Sequence, residues 1–107
     1  MSKRIIYKIK LTDIFFLTDR PVTKFLNVQE QNGVPVVWVE VDGEREEKEI
    51  YSLSCVGTGY HYYAKEFGEY LGTWQEKETG LVYHFFARKY SKEEEIKYYT
   101  IIKKVKG

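Results

Sequence analysis

The residues best suited to binding chemistry lie in the segment Val56-Gly57-Thr58-Gly59-Tyr60-His61. Glycines let backbone N–H groups approach an anion closely, and the Thr58 hydroxyl adds a hydrogen-bonding group. The segment is neither a dinucleotide fingerprint, since a third glycine and a strand–helix–strand setting are missing, nor a P-loop, since no Gly-Lys-Ser/Thr follows. Gly57, Thr58 and Gly59 are therefore candidate ligand-binding residues, and a tight turn or bulge is the purely structural alternative.

Aromatic side chains concentrate beside this segment in a chain that is 17% aromatic and holds ten tyrosines. A nucleobase stacked on an aromatic ring gains about 1–3 kcal/mol. We predict that Tyr60, His61 and Trp74 stack on or border a heterocyclic base, and that Lys65 or Arg88 meets a phosphate. Most of the other tyrosines are expected to pack the core or a subunit interface.

Catalytic and metal-binding groups are sparse. Cys55, His61 and His84 do not have the spacing of a known metal site, so neither a metal nor a cofactor is expected. A Cys55–His61 pair could activate a thiolate, but Cys55 alternates with apolar strand residues, which favours a small core residue. We predict no catalytic residue, and the open alternative is an enzyme that uses His61 or His84 as its acid or base.

The length and the charge balance of the chain exclude several classes of function. The 107 residues suffice for one domain, and 17 basic against 16 acidic residues give a formal net charge of +1. That balance argues against binding of long nucleic acid or of a membrane surface by bulk charge. The chain has one cysteine, which excludes a disulfide scaffold, and it has neither a run of about 20 apolar residues nor the apolar stretch of a secretion signal. These features suggest a cytoplasmic setting.

The candidate site residues lie in or beside short segments in which apolar and polar residues alternate, as is typical of β-strands. Strands are predicted at 4–11, 14–17, 22–31, 34–41, 47–56, 70–75 and 81–90, which makes residues 1–90 a mainly β domain, a small antiparallel β-sheet or barrel-like structure. Asn32-Gly33 predicts a hairpin turn, and Gly72 within a strand indicates a bend or a close backbone approach.

The C-terminal extension, residues 91–107, has a different pattern. Ser91-Lys92-Glu93-Glu94 has the form of a helix capping box, and apolar residues follow at helical spacing at Ile96, Tyr99, Ile102 and Val105. A helix is therefore predicted from 92 to about 105, with a strand as the alternative because the run 98–102 (YYTII) is rich in aromatic and β-branched residues. We expect it to belong to the same single domain and to dock on the β domain or on another subunit.

Five runs of sequence resemble those of a widespread set of small phage-encoded proteins in order and spacing over residues 4–88. They are 27–38 (NVQEQNGVPVVW), Val41-Asp42, Val56-Gly57-Thr58-Gly59, 70–75 (YLGTWQ) and 81–86 (LVYHFF). The resemblance extends to the anti-CBASS 4 sponges, phage proteins that sequester cyclic dinucleotide immune signals such as 3′3′-cGAMP without cleaving them. Relatives have His-Pro after the Gly-Thr-Gly, where this chain has Tyr60-His61, so the ligand geometry at that point can differ.

The resemblance implies a viral immune-evasion protein and not an enzyme. It implies a homo-oligomer, a tetramer in the sponges, that binds a cyclic dinucleotide at or near subunit interfaces in the cytoplasm of an infected bacterial host. Two alternatives stay open. One is a small nuclease or phosphodiesterase that degrades such a signal, and the other is a protein-binding inhibitor of a host factor or a minor virion component.

Overall fold

Seven strands and two helices make up the part of the chain that the computed structural model describes, residues 2–106, with side chains described as far as residue 101. The strands are β1 (Arg4–Lys10), β2 (Phe15–Thr18), β3 (Val22–Gln31), β4 (Val34–Asp42), β5 (Glu49–Gly57), β6 (Glu69–Gln75) and β7 (Val82–Lys89). The helices are α1 (Ala64–Phe67) and α2 (Lys92–Lys106). Each predicted strand is confirmed to within about two residues, whereas α1 was not predicted.

The strands form two antiparallel sheets, which confirms the mainly β class. The first sheet has the order β1-β4-β3 and the second has the order β2-β5-β7-β6, so each is an open sheet with two edges. The predicted hairpin joins β3 to β4 in the first sheet. Its turn residues Asn32 and Gly33 both have positive φ, 54° and 78°, as a type I′ turn requires.

The core lies between the two sheets. Alternation along β4 points Val37, Val39 and Val41 inward, and all three are 0% exposed. Across from them lie inward residues of the second sheet, namely Phe16, Tyr51, Leu53, Leu71, Phe85 and Ala87. At one side β6 passes close to β3, where a Cβ on Gly72 would lie 2.6 Å from Val28 Cγ2. The predicted close approach at Gly72 is therefore confirmed.

Cys55 does not belong to this core. Its position on the inner face of β5 follows from alternation with Tyr51 and Leu53, but its side chain is exposed. Leu53 is the last buried residue of β5 on that face, because the strand continues past the core toward Gly57. The prediction that Cys55 is a core residue is wrong for this reason.

Helix α2 contacts the outer face of the second sheet mainly through Glu94 and Tyr98, whereas Ile96 and Tyr99, two of the predicted apolar positions, are exposed. The capping box is confirmed, since the Ser91 N–H donates to Glu94 Oε1 at 2.8 Å and the Glu94 N–H donates to Ser91 Oγ at 3.2 Å. Further along, the Tyr98 ring meets the Phe15 ring edge to face at 5.3 Å. The predicted apolar positions Ile102 and Val105 lie outside the described side chains. No helix in residues 2–106 combines the length and the apolar character needed to cross a membrane.

Glu94 also ties α2 to the sheet and should make folding sensitive to acid. Arg88 donates to both Glu94 oxygens, at 2.9 and 2.8 Å. These bonds, followed by the one from the Ser91 N–H, lower the pKa of Glu94 from 4.5 to about 2. Because the folded pKa is the lower one, this stabilisation is present above pH 4.5 and is lost as pH falls toward 2.

We expect Glu94→Gln to remove that acid sensitivity. Glu94 is partly exposed, so the part of its stabilisation that depends on charge is about 1 kcal/mol after solvent screening. Urea unfolding measured from about pH 5 down to pH 2 should show a shallower loss of stability for Glu94→Gln than for wild type. Glu93→Gln on the same turn is the control and should keep the wild-type slope. Equal slopes for all three proteins would contradict the ion pair.

Candidate functional site

The outer face of the second sheet carries a cavity of about 410 Å³, within the range of small-molecule sites. We call it the tyrosine cavity. Its lining consists of aromatic rings, hydroxyl groups, one imidazole and the glycine turn, contributed by Val56, Gly57, Thr58, Gly59, Tyr60, Tyr62, Tyr70, Thr73, His84 and Phe86. The structure thus brings four of the predicted site residues, Gly57 to Tyr60, into one concave surface.

The turn at the end of β5 forms one wall of the tyrosine cavity. The Tyr60 N–H donates to the Gly57 carbonyl oxygen at 3.2 Å, which closes a β-turn with Thr58 and Gly59 at its centre. Gly59 has φ +92°, a value that favours glycine at this turn position. The Tyr60 ring folds back over Gly57, where an added Cβ would lie 3.3 Å from Tyr60 Cδ2. The tight turn is therefore present, and its residues line the cavity.

An aromatic cluster around Phe86 forms the floor. Alternation along β7 sends Phe85 into the core and Phe86 to the outer face, where Phe86 is nevertheless only 6% exposed. It is covered by Tyr62, Phe67 and Tyr70, whose ring centroids lie 4.9, 5.4 and 5.5 Å from its own. Tyr62 and Tyr70 remain about half exposed, so their rings present flat apolar surface to the cavity.

A hydrogen-bonded chain crosses the cavity at His84. Thr58 Oγ1 lies 2.8 Å from His84 Nε2, Thr73 Oγ1 lies 3.0 Å from His84 Nδ1, and the Tyr70 hydroxyl bonds Thr73 Oγ1 in turn. A neutral imidazole has one donor and one acceptor nitrogen, so one threonine must donate to His84 and the other must accept. These hydrogen bonds therefore hold the His84 ring in one orientation. They leave lone pairs on the hydroxyl oxygens that could accept from the edge of a bound heterocycle.

Among the side chains that the structure describes, no lysine, arginine, aspartate or glutamate lines the tyrosine cavity. An anionic group would instead meet backbone N–H groups at the rim. The Thr58 and Tyr60 N–H groups are used within the protein, by Val82 O and Gly57 O. The Gly59 N–H has no hydrogen-bond partner among the residues that the structure describes. The first basic residue after Gly59 in the sequence is Lys65, which is exposed on α1 and makes no ion pair within the described residues.

Four predicted site residues lie outside the lining of the tyrosine cavity. His61 and Lys65 follow the turn and are exposed. Trp74 lies on the inner face of β6, stacked on the Tyr83 ring at 6.0 Å, and its Nε1–H donates to Glu30 at 2.9 Å. Arg88 lies on the outer face, where Glu94 occupies its guanidinium.

Arg88 also lines a separate cavity of about 510 Å³ beside β3 and β6. The basic residues of that lining are Lys24, Arg88 and Lys89, of which Arg88 and Lys89 are paired with Glu94 and with the buried Glu49. Because two of these three charges are already neutralised and the cavity lacks the cluster of exposed aromatic rings, we regard the tyrosine cavity as the better site for a flat ligand.

Six lining residues were not among the predicted site residues, namely Val56, Tyr62, Tyr70, Thr73, His84 and Phe86. The alternation of β7 does place His84 and Phe86 on one face of a strand, and Tyr62 and Tyr70 belong to the aromatic concentration. What the sequence does not contain is the register that sets Thr73 opposite His84.

Residues 1–96 match the family model described as a domain of unknown function, DUF7352. The match extends beyond the β domain into the first residues of α2 and so includes the capping box and Glu94. No curated protein and no solved structure matches the chain significantly.

Proposed function

The chain belongs to the DUF7352 family, a family of unknown function, and we propose that it is a phage immune-evasion sponge. In this proposal it binds a cyclic dinucleotide such as 3′3′-cGAMP in the cytoplasm of an infected bacterium and holds it without cleaving it. The observation that carries the proposal is the tyrosine cavity, in which exposed rings, a hydroxyl–imidazole edge and a glycine turn converge.

The tyrosine cavity suits a nucleobase better than a charged or aliphatic ligand. Tyr60, Tyr62 and Tyr70 offer stacking surface, and stacking accepts any base because every base has a flat π-face. The Thr58–His84–Thr73 chain adds hydrogen-bonding groups that can read a base edge. The uncharged lining avoids a desolvation cost that a fixed, unpaired charge would impose.

The phosphates of such a ligand would lie at the rim of the cavity. There the Gly59 N–H, which has no partner within the described residues, can donate, and we propose that the exposed Lys65, six residues further along the chain, supplies the cation. The Gly59 N–H and a single mobile lysine would then orient an anion at this rim.

The geometry at His84 supports binding over turnover. Both ring nitrogens are already hydrogen-bonded to Thr58 and Thr73, so His84 would have to give up one of these bonds before it could take a proton from a water or a ligand hydroxyl. A sponge must also bind tightly enough to deplete free signal, and a preformed site of this kind reduces the ordering cost of binding.

We propose a homo-oligomer, a tetramer, as the working form.

We expect Tyr60→Ala to weaken cyclic dinucleotide binding while Tyr63→Ala leaves it unchanged. Both tyrosines are 77% exposed and lie three residues apart, but only Tyr60 lines the tyrosine cavity. Loss of one stacking ring should raise the Kd by about 5- to 150-fold. Isothermal titration with 3′3′-cGAMP measures the Kd, and thermal unfolding without ligand should show that both variants fold equally well.

The fate of the ligand decides among the functional classes. Wild-type protein at a ligand concentration of about 100 Kd should gain about 2.7 kcal/mol of stability. Heat denaturation followed by chromatography should return the cyclic dinucleotide intact. Recovery of a linear product would instead establish an enzyme, and the absence of a thermal shift across cyclic di- and trinucleotides would favour the protein-binding alternative. Light scattering measures the subunit number, and a monomer would contradict the proposed assembly.

A further inference from the structure

A second cavity lies on the other side of the glycine turn. It has a volume of about 470 Å³, and we call it the Leu81 cavity. It is lined by Gly57, Thr58, Tyr60, Gly80, Leu81, Val82 and Tyr83. Its far wall is the approach to β7, which a hydrogen bond from the Thr58 N–H to Val82 O at 3.2 Å ties to the turn.

The two cavities share one wall. Gly57, Thr58 and Tyr60 line both of them, so the turn that closes β5 separates two concave surfaces of similar volume. The Tyr60 ring is 77% exposed and rests on Gly57 within this shared wall. A molecule that occupied both cavities would therefore have to pass over the turn.

The Leu81 cavity is the more apolar of the two. Leu81 is 54% exposed and lies there beside Val82 and Tyr83. Within the part of the chain whose side chains are described, no lysine, arginine, aspartate or glutamate belongs to this lining. An exposed leucine next to aromatic rings presents surface that gains free energy when a flat apolar group covers it. The imidazole and the second threonine, His84 and Thr73, belong to the tyrosine cavity alone.

We propose that the Leu81 cavity is a second base subsite, so that the ligand spans both cavities. This inference rests on the proposed function and deepens it. The ligand class is then two flat heterocycles joined by an anionic linker, with one heterocycle on each side of the turn. The tyrosine cavity reads the edge of one base through Thr73 and His84, and the Leu81 cavity holds the other by apolar contact.

The tip of the turn suits the linker of such a ligand. Gly59 has open space around it, since an added Cβ would meet nothing within 4 Å. Its N–H has no partner within the described residues and is the donor at the point where the linker crosses. A mononucleotide can fill only one cavity, so it gains no binding free energy from the second cavity.

Leu81→Ala separates the two subsites experimentally. In titrations of the full-length protein, we expect Leu81→Ala to weaken 3′3′-cGAMP binding by about tenfold and to leave AMP and GMP binding unchanged. Tyr62→Ala, which alters only the tyrosine cavity, should weaken the cyclic dinucleotide and the mononucleotides alike. Leu17→Ala on β2 is the control, because Leu17 is similarly exposed and lines neither cavity.

The outcomes distinguish the inference from the proposed function. If 3′3′-cGAMP binds wild type and Leu81→Ala with equal affinity, or if Leu81→Ala weakens mononucleotides as much, the second subsite is overturned and the sponge proposal stands. If no nucleotide binds the wild-type protein, both are overturned. Thermal unfolding of each variant confirms that a loss of affinity does not come from a loss of fold.

Discussion

Gly68→Ala is expected to destabilise the fold by about 3 kcal/mol or more. Gly68 follows α1 with φ +83° and ψ −136°, a backbone conformation that is open essentially to glycine alone. A Cβ there would overlap the Ala87 carbonyl oxygen and lie 2.8 Å from Arg88 Cβ. These neighbours lie in the C-terminal half of β7, an inner strand that is paired on both sides, and cannot move without disturbing the sheet.

The same substitution should also loosen the tyrosine cavity. Gly68 connects α1 to β6, and the last α1 residue, Phe67, packs on Phe86 with Tyr62. Displacing α1 from β7 would move two of the rings that cover Phe86. We therefore expect weakened ligand binding at temperatures where Gly68→Ala is still folded.

Urea unfolding of Gly68→Ala beside Gly33→Ala compares a glycine whose Cβ position is blocked with one whose Cβ position is open. Gly33 has nearly the same φ, +78°, but an added Cβ there meets nothing within 4 Å. Gly33→Ala should therefore lose only the backbone strain, about 1 kcal/mol. If the two variants lose equal stability, the close approach of α1 to β7 at Gly68 is not present in the protein.

The hairpin and the capping box show what local sequence determines. Asn32-Gly33 predicts a turn because both positions need positive φ, and Ser91 with Glu94 predicts a helix start because each side chain satisfies the other's N–H. Both features depend on residues within a few positions of one another. They were therefore predictable from the sequence without any knowledge of tertiary structure.

The orientation of Trp74 could not be predicted from local sequence. Strict alternation along β6 would put Trp74 on the same face as Tyr70, toward the tyrosine cavity. The register instead shifts between Tyr70 and Gly72, since Leu71 and Gly72 together oppose Phe85. One extra residue turns every later side chain to the opposite face, so Trp74 enters the inner face and Thr73 turns outward to His84.

The site depends on pairings that are distant in sequence. Thr58 and His84 are 26 residues apart and Thr73 and His84 are 11 apart, and only the registers of β5 and β6 on β7 bring them together. A glycine in a strand indicates a bulge or a close approach, but not which of the two it supplies. At Gly72 the structure has both, the shift in β6 and the contact with Val28.

The largest electrostatic effect on folding is expected at Glu49, which ties the two sheets together. Glu49 is 6% exposed, and its Oε1 accepts from the Val22 N–H at 2.8 Å and from the Tyr51 hydroxyl at 3.1 Å. Its Oε2 pairs with Lys89 Nζ at 3.0 Å. Burial, and then the charge of Glu49, raise the pKa of Tyr51, so that the phenol stays protonated and remains a donor to this carboxylate.

Glu49→Ala should cost about 2–4 kcal/mol, because it leaves a partly buried backbone N–H and a buried phenol without acceptors and the half-exposed Lys89 without its partner. Tyr51→Phe removes only one of these bonds and keeps the ring that stacks on Phe16, so it should cost about 1 kcal/mol. Glu46→Ala is the surface control, since the Glu46 side chain is 86% exposed and its removal should change stability by less than about 0.5 kcal/mol. Urea unfolding near neutral pH ranks the three variants. A loss for Glu49→Ala no larger than that for Glu46→Ala would mean that the carboxylate does not join β3 of the first sheet to β5 and β7 of the second.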